Sequence, residues 1–293
     1  AEEESAYFQS PLLYKENGFK EKKDAKALIA SLNEKPAVVK AIEKSMQKKR
    51  APLLFNLAEL QAECSKRFKI SPDQTLQVAQ DLYEKKLTTY PRTDARVLST
   101  AVAKEIHKNI GRLKGYEPVT PFVNHIMEEK LYTKIAKTSY TDDSKVTDHY
   151  AIIPTGQLTE LKSLNSLQRS VFELIVRRFL SIFYPPAQYQ TVKLVIEVEN
   201  GEKKEHFFAS AKVLKEKGYL EVAGVPGERK EKEDGAAGTG EKKTDDTEEA
   251  EKGKKQDPAV LLALADRLKK GDVVENKGYF VREGKTSPPK RYT

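Results

Sequence analysis

The stretch Leu87-Thr88-Thr89-Tyr90-Pro91-Arg92-Thr93-Asp94 sets a phenol, a guanidinium and a carboxylate within five residues, just beyond a strongly marked helix. That helix is announced by Ser71-Pro72-Asp73-Gln74, with a capping serine, proline at the first helical position and glutamine three residues after the cap. The stripe Leu76, Ala79, Leu82, Tyr83 and Leu87 follows at helical spacing. Pro91 fixes its own φ and biases Tyr90 towards an extended conformation, so the helix is predicted to end before the tyrosine and leave its ring on a loop. A phenol is almost wholly protonated at neutral pH and is a poor nucleophile. A neighbouring positive charge favours the phenolate and can hold a phosphate in line, and Arg92 is placed for both. Taken alone, the eight residues fit a proline turn with a buried tyrosine and a surface ion pair equally well.

Working outward, residues 52 to 68 repeat apolar side chains at Leu53, Leu57, Leu60, Cys64 and Phe68, the spacing of a buried helix face. A third helix is predicted from near Ser99 through Val102, Ile106 and Ile110, giving a helix-turn-helix-like block with Tyr90 between its second and third helices. Residues 166 to 183 form another helix through Val171, Leu174, Ile175, Arg178, Phe179 and Ile182, stopped by Pro185-Pro186. Beyond it the period changes to two. Residues 191 to 198 read as a strand, Asn200-Gly201 as a hairpin turn and 206 to 211 as the partner strand, while 217 to 222 and 272 to 274 extend the β pattern. The first 50 residues offer a short apolar segment at Tyr7 and Phe8, a helix over 22 to 32 and a strand over 37 to 42. The expected fold class is therefore α+β: a helical domain, 51–185, inserted into a β-rich base or hinge domain made of 1–50 and 186–293.

Residues 226 to 257 contain no Val, Ile, Leu, Met or aromatic residue and hold 8 Lys/Arg against 11 Asp/Glu. Such a segment cannot bury enough apolar surface to offset the entropy of ordering, and disorder is expected there. The rest of the chain is then more basic than the net +8 of the whole, which suits a polyanion partner. A single cysteine, Cys64, excludes an intrachain disulfide and falls on a helix stripe, where core packing is its expected role. With no signal peptide and no apolar run near ~18 residues, an intracellular protein with no membrane span is expected.

Two further segments join the tyrosine stretch in a recurring order. Asp148-His149-Tyr150-Ala151-Ile152-Ile153-Pro154-Thr155 and Thr286-Ser287-Pro288-Pro289-Lys290-Arg291-Tyr292-Thr293, taken with Tyr90-Pro91-Arg92-Thr93-Asp94, resemble three signature stretches of the type IA DNA topoisomerases. The proline after the tyrosine and the Thr93-Asp94-Ala95-Arg96 continuation are more similar to the topoisomerase III branch. The resemblance runs from about Pro52 to Val198, more loosely at both ends. It implies a part of a toroidal enzyme in which the tyrosine cuts one DNA strand, the arginine two residues later positions the phosphate and the histidine assists. By position these are Tyr90, Arg92 and His149. Asp94 would support Arg92 by a charge-assisted hydrogen bond or, equally, cap the helix that follows. Thr93, Arg96 and Thr155 would contact the strand.

The resemblance also implies Mg²⁺, held by a separate acidic domain that normally comes first in the chain and supplies a Glu and a DxD-type cluster. No Asp-x-Asp occurs in this sequence, so no metal ligands are expected in it and the chain is expected to be a central fragment lacking that domain. Transesterification retains bond energy, so no ATP is required, in keeping with the absence of a GxxxxGK[ST] phosphate loop. Single-stranded DNA and the missing acidic domain are the expected partners, in a monomeric, cytoplasmic, nucleoid-associated enzyme. Two rivals stand beside it. A tyrosine recombinase needs an HxxR arrangement, and none of the four histidines has arginine three residues on. A non-catalytic helix-turn-helix module binding single-stranded DNA is the other.

Overall fold

The computed structural model describes residues 19, 21–32, 35–224, 258–275, 278–279 and 281. The disorder expected over 226 to 257, the apolar segment at Tyr7 and Phe8, and the motif at 286 to 293 lie outside the described residues. The chain divides into two compact units: one of residues 1–47, 189–214 and 241–293, the other of 48–188 and 215–240. The mixture of helices with one sheet is α+β, as the periodicities require.

In the first unit, helix α1 (Lys22–Leu32) precedes strand β1 (Ala37–Lys49), and β2 (Ala187–Asn200) and β3 (Lys203–Glu216) follow after the long helical block. With β4 (Val273–Val274) they form a sheet of order β3-β2-β1-β4, in which β1 and β4 run antiparallel with Ala37 opposite Val274. The turn between β2 and β3 has Gly201 at φ 65°, a backbone conformation that favours glycine. Alternate residues Leu194, Ile196 and Val198 of β2 enter the same core as Val39, Phe207 and Leu32. The helix α8 (Pro258–Arg267), which the sequence reading did not anticipate, places Leu262 and Ala265 against Val192.

On this sheet Glu197 gathers three basic side chains. Lys204 lies 2.9 Å away, Lys40 3.0 Å and His206 Nε2 2.9 Å. Bonds from Lys204 first, then Lys40 and His206, hold its carboxyl down from the ordinary glutamate value of 4.5 to about 2. A carboxyl depressed by folding contributes stability that is present above the unfolded value and is lost as pH falls through the folded one. Acid unfolding of the sheet should therefore carry a component between pH 4.5 and about 2 that Glu197→Gln removes, read by circular dichroism at matched ionic strength. An unchanged acid profile in the variant would dismiss the cluster as a pH-linked element.

The second unit is helical: α2 (Leu57–Phe68), α3 (Pro72–Glu84), α4 (Thr100–Arg112), α5 (Thr120–Glu128), α6 (Ser166–Ser181) and the short α7 (Leu220–Ala223). The first of these starts later than its stripe suggests. Asn56 caps it by accepting the Glu59 N–H at 2.9 Å, and Leu53 lies before the helix in extended chain. Tertiary pairing decided this, since Leu54 N–H bonds to Arg96 and Phe55 C=O accepts from Ile152. The capping box of α3 forms as read, with Ser71 and Gln74 bonding reciprocally. Cys64 is fully buried, and burial pushes its thiol up to about 11.

Residues 217 to 222, read above as strand, instead form a turn and α7 within the helical unit. Gly218 takes φ 49°, and a Cβ there would press into the carbonyl oxygens of Pro185 and Pro186. Tyr219 N–H bonds to Pro185 C=O at 2.9 Å, and Arg177 reaches the Val222 carbonyl, also at 2.9 Å. These bonds outweigh a short two-residue alternation. Among the described residues no helix is long and apolar enough to cross a membrane.

Candidate active site

The chain reaches Tyr90 through a turn that proline does not make. Helix α3 stops six residues earlier, at Glu84, because Lys86 adopts a left-handed conformation with φ 59°. Leu87 N–H then bonds to Leu82 C=O at 2.9 Å and Lys86 N–H to Tyr83 C=O at 2.8 Å, the Schellman pattern, with Leu82 and Leu87 both fully buried beneath it. The predicted outcome, a tyrosine beyond the helix, holds, while the cause lies at Lys86.

The histidine segment closes on this turn as a short ladder. Thr88 pairs antiparallel with Pro154 and Phe55 with Ile152. Thr155 N–H bonds to Leu87 C=O at 3.0 Å and Thr89 N–H to Ile153 C=O at 2.9 Å. The Thr89 hydroxyl donates to Ala151 C=O at 3.0 Å and accepts from Ile153 N–H at 2.9 Å. At the open end of the ladder the Tyr90 and His149 rings meet, with centroids 4.6 Å apart and planes tilted by 44°. Tyr90 is half-buried and His149 exposed, so both rings can be reached from solvent.

Arg92 is exposed two residues after the tyrosine, and among the described residues its guanidinium makes no ion pair or hydrogen bond. It stands free to meet an anion. Asp94 neither pairs with it among the described residues nor caps the next helix: Ser99 caps α4, and the Asp94 carbonyl accepts from Asn56 at 3.2 Å.

The three residues expected to contact the strand each make bonds within the protein. Thr93 is buried, donating its hydroxyl to the His149 carbonyl at 3.0 Å and accepting from Ala95 N–H at 3.1 Å, so it ties the histidine to the tyrosine segment. Thr155 donates to Lys86 C=O at 2.5 Å and fastens the left-handed turn. Arg96 reaches Glu59 at 3.2 Å and the Leu54 carbonyl at 3.3 Å, holding the start of α2. In this structure all three side chains hold the segments around the tyrosine together.

Two groups were missed by the sequence reading. Tyr83, expected in the α3 core stripe, is 41% exposed and meets Tyr90 edge-to-face at 5.3 Å between centroids. Its place at the edge of the stripe, one full heptad before Tyr90, was the available signal. Arg178 stacks over Phe55 at 4.0 Å and donates to Leu53 C=O at 2.9 Å, bracing the extended segment from α6.

A divalent ion does not fit the residues described. Among them no three His, Cys, Asp or Glu converge on one point. The acidic pair is used locally: Asp143 accepts the Thr100 N–H at 2.7 Å, and Asp142 is held down to about 2 by Lys145 and then Ser144.

Comparison with known proteins identifies the family of the chain. The sequence model of the DNA topoisomerase family matches residues 2–293. DNA topoisomerase 3 of Bacillus subtilis is 34% identical over 266 residues, covering 90% of this chain and 32% of that protein. DNA topoisomerase 3 of Bacillus cereus strain ATCC 10987 is 31% identical over 274 residues, covering 93% of this chain and 33% of that protein. The chain thus spans about a third of the length of the curated relatives it matches. Full-length topoisomerase I from Thermotoga maritima shares the fold, with a TM-score of 0.51 at 24% identity over 81% of this chain and 36% of that one. The chain belongs to the DNA topoisomerase family, as a type IA, topoisomerase III-like member.

Proposed function

We propose that this chain is the tyrosine-bearing part of a longer type IA topoisomerase that cuts one strand of single-stranded DNA, passes another strand through the gap and rejoins the first. In this reading the Tyr90 oxygen attacks a backbone phosphorus. The bond from phosphorus to the 3′-oxygen breaks, a bond to the tyrosine oxygen forms, and the proton lost by the phenol is balanced by one gained at the 3′-hydroxyl. Arg92 neutralises charge building on the phosphoryl oxygens. His149 exchanges the proton or holds the phosphate. The bond exchanged is conserved in kind, so ATP has no part. Mg²⁺, with ligands outside this chain, would assist positioning in the complete enzyme.

The observation that carries the reading is the meeting of Tyr90 and His149, distant in sequence, with centroids 4.6 Å apart, while Arg92, two residues after the tyrosine, is exposed and uncommitted among the described residues. The polarity of the adduct tests it. With the full-length enzyme, Mg²⁺ and a single-stranded oligonucleotide, label at the 3′ end should remain bound to protein in denaturant, while label at the 5′ end should be released on a fragment ending in a 3′-hydroxyl. Retention of the 5′ label would rule out the proposed bond. The chain itself should bind single-stranded DNA through phosphate contacts, with affinity falling steeply as salt rises. Fluorescence anisotropy between about 50 and 200 mM salt checks this, and a flat response would argue against phosphate-led binding.

A further inference from the structure

Tyr90 is touched by a second ring whose chemistry the reaction above does not use. Tyr83 lies at the end of α3, and its backbone and side chain are both fixed relative to the tyrosine loop. Its carbonyl accepts the Lys86 N–H at 2.8 Å in the turn leading to the loop. Its ring meets that of Tyr90 at 5.3 Å and 77°, within the range that edge-to-face pairs prefer. At 41% exposure this side chain is poorly explained by core packing, although its neighbours Leu82 and Ala79 are buried. Among the described residues the Tyr90 hydroxyl makes no hydrogen bond. Its direction is therefore set by what holds the ring, and the described ring contacts are Tyr83 and His149.

We propose that Tyr83 is a positioning residue for the Tyr90 nucleophile, aiming the phenol oxygen by an edge-to-face contact that needs the aromatic ring and not the hydroxyl. The inference rests on the reading of Tyr90 as the nucleophile. It separates the roles of the two neighbouring rings: His149 can exchange protons, whereas Tyr83 limits the ring's rotation and tilt. A nucleophile that is free to swing samples the in-line geometry less often, which slows attack without weakening DNA binding.

Single-turnover adduct formation with the full-length enzyme, Mg²⁺ and single-stranded DNA tests this through three variants. Tyr83→Ala should slow adduct formation roughly tenfold or more, with DNA affinity and melting temperature unchanged. Tyr83→Phe should restore the rate. Tyr83→Leu, which keeps bulk but not the ring, should stay slow. The proposal is overturned if Tyr83→Ala reacts at the parental rate, if leucine rescues as well as phenylalanine, or if the whole loss lies in DNA affinity, which would make Tyr83 a contact to the strand. An adduct formed by Tyr90→Phe would instead overturn the nucleophile reading itself, whatever Tyr83 does.

Discussion

Replacing Tyr90 by phenylalanine is expected to abolish the covalent adduct while leaving the fold and DNA affinity in place. The substitution removes one oxygen and keeps the ring, so the contacts with Tyr83 at 5.3 Å and His149 at 4.6 Å persist. Among the described residues that oxygen makes no hydrogen bond, so its loss leaves no buried partner unsatisfied there. Stability should change by no more than about 0.5 kcal/mol, as for a substitution that disturbs no packing. Denaturing gels of labelled oligonucleotide after reaction with Mg²⁺ provide the measurement. Adduct at even a few per cent of the parental yield would require another nucleophile.

Arg92→Ala should leave some adduct but form it about 10² to 10³ times more slowly, which corresponds to losing one preorganised charge from the transition state. The guanidinium is exposed and makes no ion pair or hydrogen bond among the described residues, so its removal should not destabilise the fold. Lysine should recover only part of the rate, since it offers a point charge where arginine offers a planar fork. A rate within twofold of the parent would remove Arg92 from the chemistry.

Local chemistry made parts of the fold legible in sequence. Ser71, Pro72 and Gln74 specify the start of α3 by bonds within one turn, and they form as read. Where long-range bonds decide, the pattern misled: Leu53 fits a helix stripe, yet Asn56 starts the helix because Leu54 and Phe55 are claimed by Arg96 and Ile152. The end of α3 was misattributed to Pro91, because a left-handed Lys86 carries no glycine or asparagine to announce it. At the site, Tyr90, Arg92 and His149 could be named from their motifs, but no spacing foretold that two of them would meet. Thr93 and Thr155 were noticed for their flanks, and their hydroxyls turn inward to backbone carbonyls. Tyr83 was hidden by its own position, since an aromatic residue on a stripe reads as core.

On the proposed reaction, the ladder joining Leu87–Thr89 to Ala151–Thr155 would bear on how a broken strand is mended. If Tyr90 carries the cut end, its histidine partner is bound to the same strip of backbone, and Arg92 follows two residues later. Whatever larger displacement admits the passing strand, the severed phosphate would travel with these groups still around it. Resealing would then require only the return of the 3′-hydroxyl to a reaction centre kept assembled throughout. Fidelity of repair, on this view, is written into two backbone bonds and two more through the Thr89 hydroxyl.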